Sequence, residues 1–519
     1  MGYTVRVIRR RTFSFRLLAV YFSGSAILLI TTLWMTRGHF SYSLDDAYIH
    51  LALAQQIAHG HYGLNASEPS SPSSSILWPF LIAPLSRTGL GAWFPLILNL
   101  GFGILACAMI GRIVERWWIS RNPEAPVGMQ WLIAFLLILV ANLFGLTFMG
   151  MEHVLQIALV SGCAYGLLEA YEGRPIPPVA LFCAALAPSV RYEDLAFTLP
   201  VVLSCWFQGR RSAALLTGGC SLIPLAGFSL FLHRDGLPWL PTSVLVKGGV
   251  IGNGTNPIHR VVQLLRFASQ HYILDVAGNT ILLMGVVLLF LAWSKKANTT
   301  QKKVLSAAAL GVWLVIGFGP YGWFYRYEVC VRIFATLILL GVLCSRQRVS
   351  AGVLATSLAV AGSPYIAGIF LTPIVSTRIY RQQFQMHRFA DEFYHGNVAV
   401  NDLGWVSYDH GDKNYVLDLW GLGSTEAAMQ GDKSTAWMED IARRHDVGLV
   451  MIYPKAFADA PRSWVEIGVI HQRDGLFLGG GMYSDVSFYA TPQSDLPTMQ
   501  RLIGQFASTM PPETWLTTQ

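Results

Sequence analysis

Residues 17–50 read LLAVYFSGSAILLITTLWMTRGHFSYSLDDAYIH, and two acids follow an apolar run within this stretch. The run from Leu17 to Met35 reaches the roughly 20 residues that a helix needs to cross the hydrocarbon core of a bilayer. No small-x-small cleavage site follows it, so we predict a retained signal anchor. A cluster of arginines precedes the run and predicts a cytoplasmic N-terminus: Arg6, Arg9, Arg10, Arg11 and Arg16.

The composition of the whole chain is that of a polytopic membrane protein. Of its 519 residues, 53% are hydrophobic and only 13% are charged, whereas soluble domains carry about a quarter charged residues. The formal charge of +7 is spread over short clusters between apolar runs, which is the distribution of the positive-inside rule. It does not form a basic patch with interleaved aromatic side chains, so nucleic acid is not expected as a partner.

The apolar runs predict about 11 transmembrane helices. With the N-terminus inside, the basic clusters all fall in inner loops, as the positive-inside rule requires. The stretch 76–85 is short and contains Pro79 and Pro84, so we interpret it as an interfacial or re-entrant piece. The predicted spans are 17–36, 92–113, 131–149, 153–172, 177–189, 195–207, 213–232, 277–294, 304–322, 329–344 and 350–373.

This topology divides the chain into a membrane core, residues 1–376, and a C-terminal unit, residues 377–519. The core includes a first outer loop, residues 37–91, that carries Asp45 and Asp46. In the C-terminal unit charged residues return, and short β-type runs ("NVAVN", "VGLVMIY", "SFYA") alternate with helical stretches such as Ser434 to Arg444. We therefore predict a polytopic α-helical membrane protein with a C-terminal extracytoplasmic α/β domain.

The acids of "SLDDAYIH" have two interpretations. Ser43, Asp45 and Asp46 suit the N-terminus of a helix, as caps facing the positive end of its dipole. Alternatively they are functional: Asp46 and His50 lie four residues apart and would share a helix face, where a divalent cation (Mg²⁺, Mn²⁺ or Ca²⁺) could bind. The spacing leaves both interpretations open.

Further charged residues fall on the predicted outer side, where the positive-inside rule does not account for cations. The cations call for anionic partners, and a lipid phosphate is available at that depth. Glu152 follows a predicted helix junction close to hydrocarbon, where a carboxylate either functions or pairs with an arginine. The cations in question are Arg191, Lys247, Arg326 and Arg332, and Glu193 and Tyr327 lie beside two of them.

Several motifs together resemble a known superfamily. "LDDAYIHLALAQQIAHGHYGLN" with "SILW", then "GME" (150–152), "RYED" (191–194), "LPTSVLVK", "RYEVCVR" and "NDLGWVSYDHGDKNYVLDLWGLGS" follow in order. They resemble the GT-C membrane glycosyltransferases, especially the mycobacterial terminal arabinofuranosyltransferase branch. The chain departs from that pattern at Ile76, Tyr192 and Asp194, and "RYEVCVR" lacks the usual following proline.

The resemblance implies a GT-C fold, a polyprenyl-phosphate-linked sugar as donor and an Asp of the first outer loop as general base. On this hypothesis Asp45 is the preferred base, because it matches the leading acid of the motif, and Asp46 orients it. The four outer cations are the candidates to bind the donor phosphate, with Glu152, Glu193, His50 and Tyr327 in support. Asp402 and Asp418 are interpreted as turn and strand-end residues.

The function predicted is therefore an inverting glycosyltransferase in the cytoplasmic membrane of a bacterium, with its site facing the periplasm. It would move a single sugar, an arabinofuranose or another pentose or hexose, to a glycan, glycolipid or protein acceptor. Two alternatives stay open: a transporter or flippase of lipid-linked sugars, and a glycan transferase that uses a pyrophosphate carrier. The sequence requires no cofactor, and the divalent cation considered above is the one candidate.

Overall fold

The computed structural model describes residues 12–247, 270–322, 324–411, 413–457, 459–472 and 483–519. Most of the N-terminal three quarters of the chain is helical. The longer helices there are Thr12–Met35, Asp46–Ala58, Phe94–Trp117, Val127–Val140, His153–Tyr171, Pro178–Val190, Leu195–Phe207, Arg211–Arg234, Val276–Trp293, Thr299–Phe318, Val329–Arg346, Ala351–Gly362 and Ile366–Arg381.

Eight of the helical stretches within the described residues are long and apolar enough to cross a membrane. The helical architecture with several long apolar helices is thus as predicted, but three of the eleven predicted spans form shorter helices. The span 131–149 is interrupted at Asn142, whose φ of 44° lies in the left-handed region and ends the helix. The other two are Pro178–Val190 and Leu195–Phe207, 13 residues each, separated by the turn 191–194.

One helix occupies the centre of this bundle. Every residue of His153–Tyr171 is buried, whereas Arg211–Arg234 presents Leu215, Leu216 and Ile223 outward, each more than two-thirds exposed. A soluble protein rarely leaves a continuous apolar face on several helices uncovered. The outward surface of the bundle therefore matches a lipid environment.

The segment 76–85 is short, as predicted. It forms the helix Leu77–Ile82 and a 3₁₀ turn at Ala83–Leu85, with Trp78 fully buried. The predicted boundary at residue 376 falls inside the helix Ile366–Arg381, which belongs to a helical stretch that continues to Tyr394. The chain thus passes into the C-terminal unit without a flexible linker.

The C-terminal unit contains a six-stranded mixed sheet among its described residues. The strands are β1 (Val398–Val400), β2 (Val416–Asp418), β3 (Leu449–Ile452), β4 (Val465–Gln472), β5 (Asp485–Ala490) and β6 (Thr514–Thr518), in the order β2-β1-β3-β5-β4-β6. Strand β1 is parallel to β2 and β3, and the other pairs are antiparallel. Helices Gly404–Ser407, Thr425–Met429, Thr435–Arg444 and Leu496–Ala507 complete the unit.

The predicted strands and the predicted helix of this unit are confirmed. "NVAVN", "VGLVMIY" and "SFYA" contain β1, β3 and the end of β5, and Ser434 caps its helix by accepting from the Trp437 amide. Consecutive buried residues in β1, β2 and β3 are typical of strands covered on both faces.

The first loop (residues 37–91) and the C-terminal unit share one apolar core. Leu53 and Leu64 of the loop pack in the same cluster as Val400 and Met451 of the sheet. Asn65 extends the contact by exchanging two hydrogen bonds with Val416, from its side-chain amide to the main-chain carbonyl (3.0 Å) and back from the main-chain amide (2.8 Å). This docking fixes the position of the helix Asp46–Ala58.

Candidate functional site

Asp46 begins the first-loop helix and pairs with Arg326. Nη2 of Arg326 donates to Oδ2 of Asp46 at 2.8 Å. The guanidinium is completely buried, whereas 19% of the Asp46 side chain is exposed. A carboxylate that is both paired and partly open to solvent can meet an incoming hydroxyl group, and the adjacent guanidinium stabilises its charged form.

Asp45 has a different environment. Its two carboxyl oxygens accept from the main-chain amides of Gly404 (2.6 Å) and Trp405 (2.9 Å), at the start of the short helix Gly404–Ser407. It occupies the N-cap position of the first-loop helix, as predicted, but makes no side-chain hydrogen bond to that helix. Ser43 likewise donates elsewhere, to the Phe148 carbonyl. Asp45 joins the first loop to the C-terminal unit.

Arg191 lies between two carboxylates and a hydroxyl group. Nη1 donates to Glu152 (2.9 Å) and Ser74 (2.8 Å), and Nε donates to Glu193 (2.8 Å). The turn 191–194 that carries Arg191 and Glu193 is the break between two predicted spans. All four side chains therefore meet where helices of the bundle end.

Glu152 is the most deeply placed of these acids. Its side chain is fully buried, and Oε2 lies 3.8 Å from Nε2 of His50. Burial disfavours its charged form, but neighbouring basic groups, His153 first and then Arg191, outweigh it and lower the pKa of Glu152 to about 2. Glu152 is thus held as a carboxylate.

Tyr327 connects the two arginines of the site. The guanidinium carbon of Arg191 lies 5.2 Å from the ring centroid of Tyr327, and that of Arg326 lies 4.8 Å from it. Arg326 also donates to the Tyr327 hydroxyl at 2.9 Å. Cation–π contacts of this kind hold both guanidinium groups close to one aromatic ring.

The structure therefore brings seven of the predicted residues into one cluster, which we call the loop–bundle site. It links the Asp46–Arg326 pair, through Tyr327, to Arg191 and its carboxylates. Its members are Asp46, His50, Glu152, Arg191, Glu193, Arg326 and Tyr327.

One of the predicted phosphate-binding cations, Arg332, is not in this cluster. Arg332 is buried and donates to the carbonyls of Ala277 and Ala361 and to the hydroxyls of Thr280 and Tyr365. Its contacts are those of a residue that joins three helices. Lys247 ends the short helix Thr242–Lys247, and its side chain lies outside what the structure describes.

The serine run of the first loop contributes residues that the sequence analysis did not single out. Ser73 contacts Nδ1 of His50 at 3.2 Å, and Ser74 accepts from Arg191. Both serines are buried. A Ser/Pro run is typical of an exposed turn. The only feature of the sequence that indicates burial of these serines is the position of the run between two apolar segments.

Asp194 was another residue without an assigned role. It is fully buried and accepts from Nε2 of Gln156 at 2.8 Å. Burial, and then the charge of Glu193, raise the pKa of Asp194 well above its usual value. Asp194 therefore binds its proton more tightly than an ordinary aspartate does.

The predicted cation ligands Asp46 and His50 lie within this network of hydrogen bonds and ion pairs. Across the part of the chain that the structure describes, no group of three or more His, Cys, Asp and Glu side chains is arranged to hold a metal ion. Structural sites for such ions usually provide three or more protein ligands. The charge partner that the structure gives Asp46 is the guanidinium of Arg326.

A cavity of about 450 Å³ adjoins the loop–bundle site. Its lining includes Glu193, the partner of Arg191, and otherwise consists mainly of apolar side chains. The lining residues are Tyr192, Glu193, Leu195, Ala196, Thr198, Leu199, Val202, Gly218, Ser221, Leu222, Leu314, Val315, Phe318 and Gly319. We call this cavity the apolar groove; its composition suits a hydrocarbon chain whose polar end reaches Glu193 and Arg191.

The comparison with known families covers most of the C-terminal unit and the last residues before it. Residues 375–489 match a family model described as a domain of unknown function (DUF8728). No curated protein matches the chain. The matched residues include Asp402, Gly404 and Trp405, so the segment that holds Asp45 lies within this domain.

Proposed function

We propose that the protein is a membrane glycosyltransferase of the GT-C type, which moves a single sugar from a polyprenyl-phosphate donor to a glycan, glycolipid or protein acceptor. The observation that carries the proposal is the partly exposed carboxylate of Asp46, ion-paired to the buried Arg326 where helices of the bundle end. The three shorter helical regions complete the eleven crossings in this proposal. Its site faces the periplasm of a bacterium.

The reaction would be an inverting displacement. Asp46 takes the proton of the acceptor hydroxyl group, whose oxygen then forms a bond to the anomeric carbon. The bond between that carbon and the phosphate oxygen breaks, and the polyprenyl phosphate leaves with the electron pair. In this proposal Arg326 stabilises the negative charge that develops on the phosphate.

The surroundings of the two acids support Asp46, and not Asp45 as the sequence suggested, as the proposed base. Asp45 is only 6% exposed, and two main-chain amides occupy its oxygens. Binding of a phosphate at Arg191 would displace Glu193, which is the more exposed of its two carboxylate partners. The apolar groove beside Glu193 would take the first isoprene units of the donor.

The experiment compares Asp46→Asn with Asp45→Asn in membranes supplied with lipid-linked sugars. We expect Asp46→Asn to abolish transfer by the folded protein, and also to lower the melting temperature because the buried Arg326 loses its carboxylate partner. Asp45→Asn should act mainly on stability. Full transfer by Asp46→Asn would overturn the assignment of the base, and translocation of the donor without transfer would favour the transporter.

A further inference from the structure

Glu328 lies immediately before the helix Val329–Arg346, at its N-cap position. An acid there usually accepts from amides in the first turn of its own helix, but the Glu328 side chain makes no such hydrogen bond. Its Oε2 accepts instead from the main-chain amide of Gly322 at 3.0 Å. The fully buried side chain is therefore directed back to the turn that precedes Arg326.

Gly322 also contacts the main chain of Arg326. The Gly322 carbonyl accepts from the Arg326 amide at 3.3 Å, so Gly322 is bonded to Glu328 through its amide and to Arg326 through its carbonyl. Gly322 has a φ of 78°, which a glycine adopts at little cost. The carboxyl group of Glu328 thus restrains the main chain at the residue that carries the guanidinium.

The backbone just before Arg326 is strained. Phe324 has a φ of 65° and Tyr325 a φ of 58°, in the left-handed region that disfavours residues with a Cβ. Across the described residues, this is the single place where two neighbouring non-glycine residues adopt such angles. A conformation of this kind persists only where surrounding contacts fix it, and the hydrogen bond between Gly322 and Glu328 is one of those contacts.

The guanidinium of Arg326 has little tolerance for a shift of its main chain. It is completely buried, and Nη2 donates both to Asp46 at 2.8 Å and to the Tyr327 hydroxyl at 2.9 Å. Hydrogen bonds weaken steeply outside a narrow range of distance and angle. A displacement at Gly322 would therefore be transmitted through the Arg326 backbone to the ion pair with Asp46.

The second carboxyl oxygen of Glu328 does not explain the presence of this acid. Oε1 is buried and has no hydrogen-bond partner within the described structure. A buried polar atom without a partner is destabilising. The contact of the other oxygen with Gly322 is thus the feature that requires an acceptor at this position.

We propose that Glu328 is a positioning residue, whose contact with Gly322 holds the left-handed turn and so places the Arg326 guanidinium against Asp46. The coupling of Glu328 to the Asp46–Arg326 pair does not depend on the proposed function, whereas its effect on sugar transfer rests on it. In the transfer reaction Glu328 acts through Arg326 and touches neither donor nor acceptor.

Two substitutions in the full-length protein separate the reach of this side chain from its charge. Glu328→Gln keeps the length and an oxygen that can accept from Gly322, whereas Glu328→Asp keeps the carboxylate but is one methylene shorter. Aspartate is a favoured N-cap residue, so both variants should fold. We expect Glu328→Gln to transfer sugar at close to the wild-type rate and Glu328→Asp to lose about 10²-fold in kcat, the effect of misplacing a catalytic group by about 1 Å. Equal rates in the two variants, or the reverse order, would overturn the proposal.

A double-mutant cycle of melting temperatures tests the same coupling without any transfer reaction. Asp46→Asn should lower the melting temperature of the wild type because Arg326 loses its carboxylate partner. In Glu328→Asp the guanidinium is no longer held against Asp46, so we expect a smaller decrease there, and in Glu328→Gln the same decrease as in the wild type. Equal decreases in all three backgrounds would refute the positioning role. If no protein, wild type included, transfers sugar, the proposed function fails while this cycle still decides the role of Glu328.

Discussion

Arg326 and Asp46 form an ion pair 2.8 Å long between residues 280 positions apart in the chain. The arginine precedes the helix Val329–Arg346, and the aspartate begins the first-loop helix. The pair therefore connects the loop to the bundle at the point where helices end. Asp45, one residue earlier, connects the same loop to the C-terminal unit, so neighbouring acids have separate partners.

Arg326→Met should inactivate the protein. Removing the guanidinium removes the ion pair of Arg326 with Asp46 and the group that we propose to face the leaving phosphate, and losing one such donor typically costs about 10²–10³ in kcat. The measurement is the rate of sugar transfer in membranes. Arg332→Met serves as a comparison, because it removes a buried arginine that donates to helix carbonyls. We expect it to lower the melting temperature and to leave the transfer rate of the folded protein largely unchanged.

Glu152→Gln should weaken the bundle at neutral pH. The carboxylate is fully buried against Arg191, and removing one partner of a buried ion pair typically costs about 3–5 kcal/mol. The pKa of Glu152 is lowered to about 2 in the folded protein. The stability that the carboxylate contributes is therefore complete above the ordinary Glu pKa and is lost as pH falls towards 2. Melting curves across this acidic range should show the wild type approaching the variant. A constant difference between the two at all pH values would argue against the pairing.

Gly404→Ala should undock the first loop. A Cβ at this position would lie 2.1 Å from the Asp45 main-chain oxygen and 2.4 Å from Oδ2, distances at which the loop and the short helix must separate. Gly504→Ala is the matched control, since no atom lies within 4 Å of a Cβ there, and replacing a helical glycine by alanine adds about 1 kcal/mol of stability. We expect opposite changes in melting temperature, and a neutral Gly404→Ala would contradict the close contact.

Local sequence patterns were sufficient for the elements and for much of the site. Short β-type runs between helical stretches predicted β1, β3 and part of β5, and Ser434 predicted the start of its helix. The presence of Asp46 and Arg191 in one cluster followed from the expectation that both lie at the same ends of the helices. These predictions rest on periodicity and on the cost of charge near hydrocarbon, which are properties of short segments.

The partner of Asp45 could not be predicted in the same way. Gly404 lies 359 residues further along the chain, and no local pattern encodes contacts between such distant segments. "DD" followed by an apolar helix reads equally well as a cap, and the competing amides of Gly404 and Trp405 become visible only in three dimensions. The break at Asn142, whose left-handed backbone divides one predicted span, could not be predicted either. An apolar run gives no sign in the sequence that the backbone turns within it.

The apolar groove provides the sharpest test of the lipid donor. Leu222 lines it, whereas Leu230 on the same helix is 61% exposed and is not part of its lining. Leu222→Trp would fill the cavity that we assign to the isoprene units, so the KM for the lipid-linked donor should rise about tenfold, which corresponds to roughly 1.4 kcal/mol. Leu230→Trp adds the same indole to the same helix and should leave KM unchanged. A water-soluble donor analogue without the isoprenoid chain should respond equally to both variants, and an equal KM of the two variants for the full-length donor would exclude the groove as its binding site.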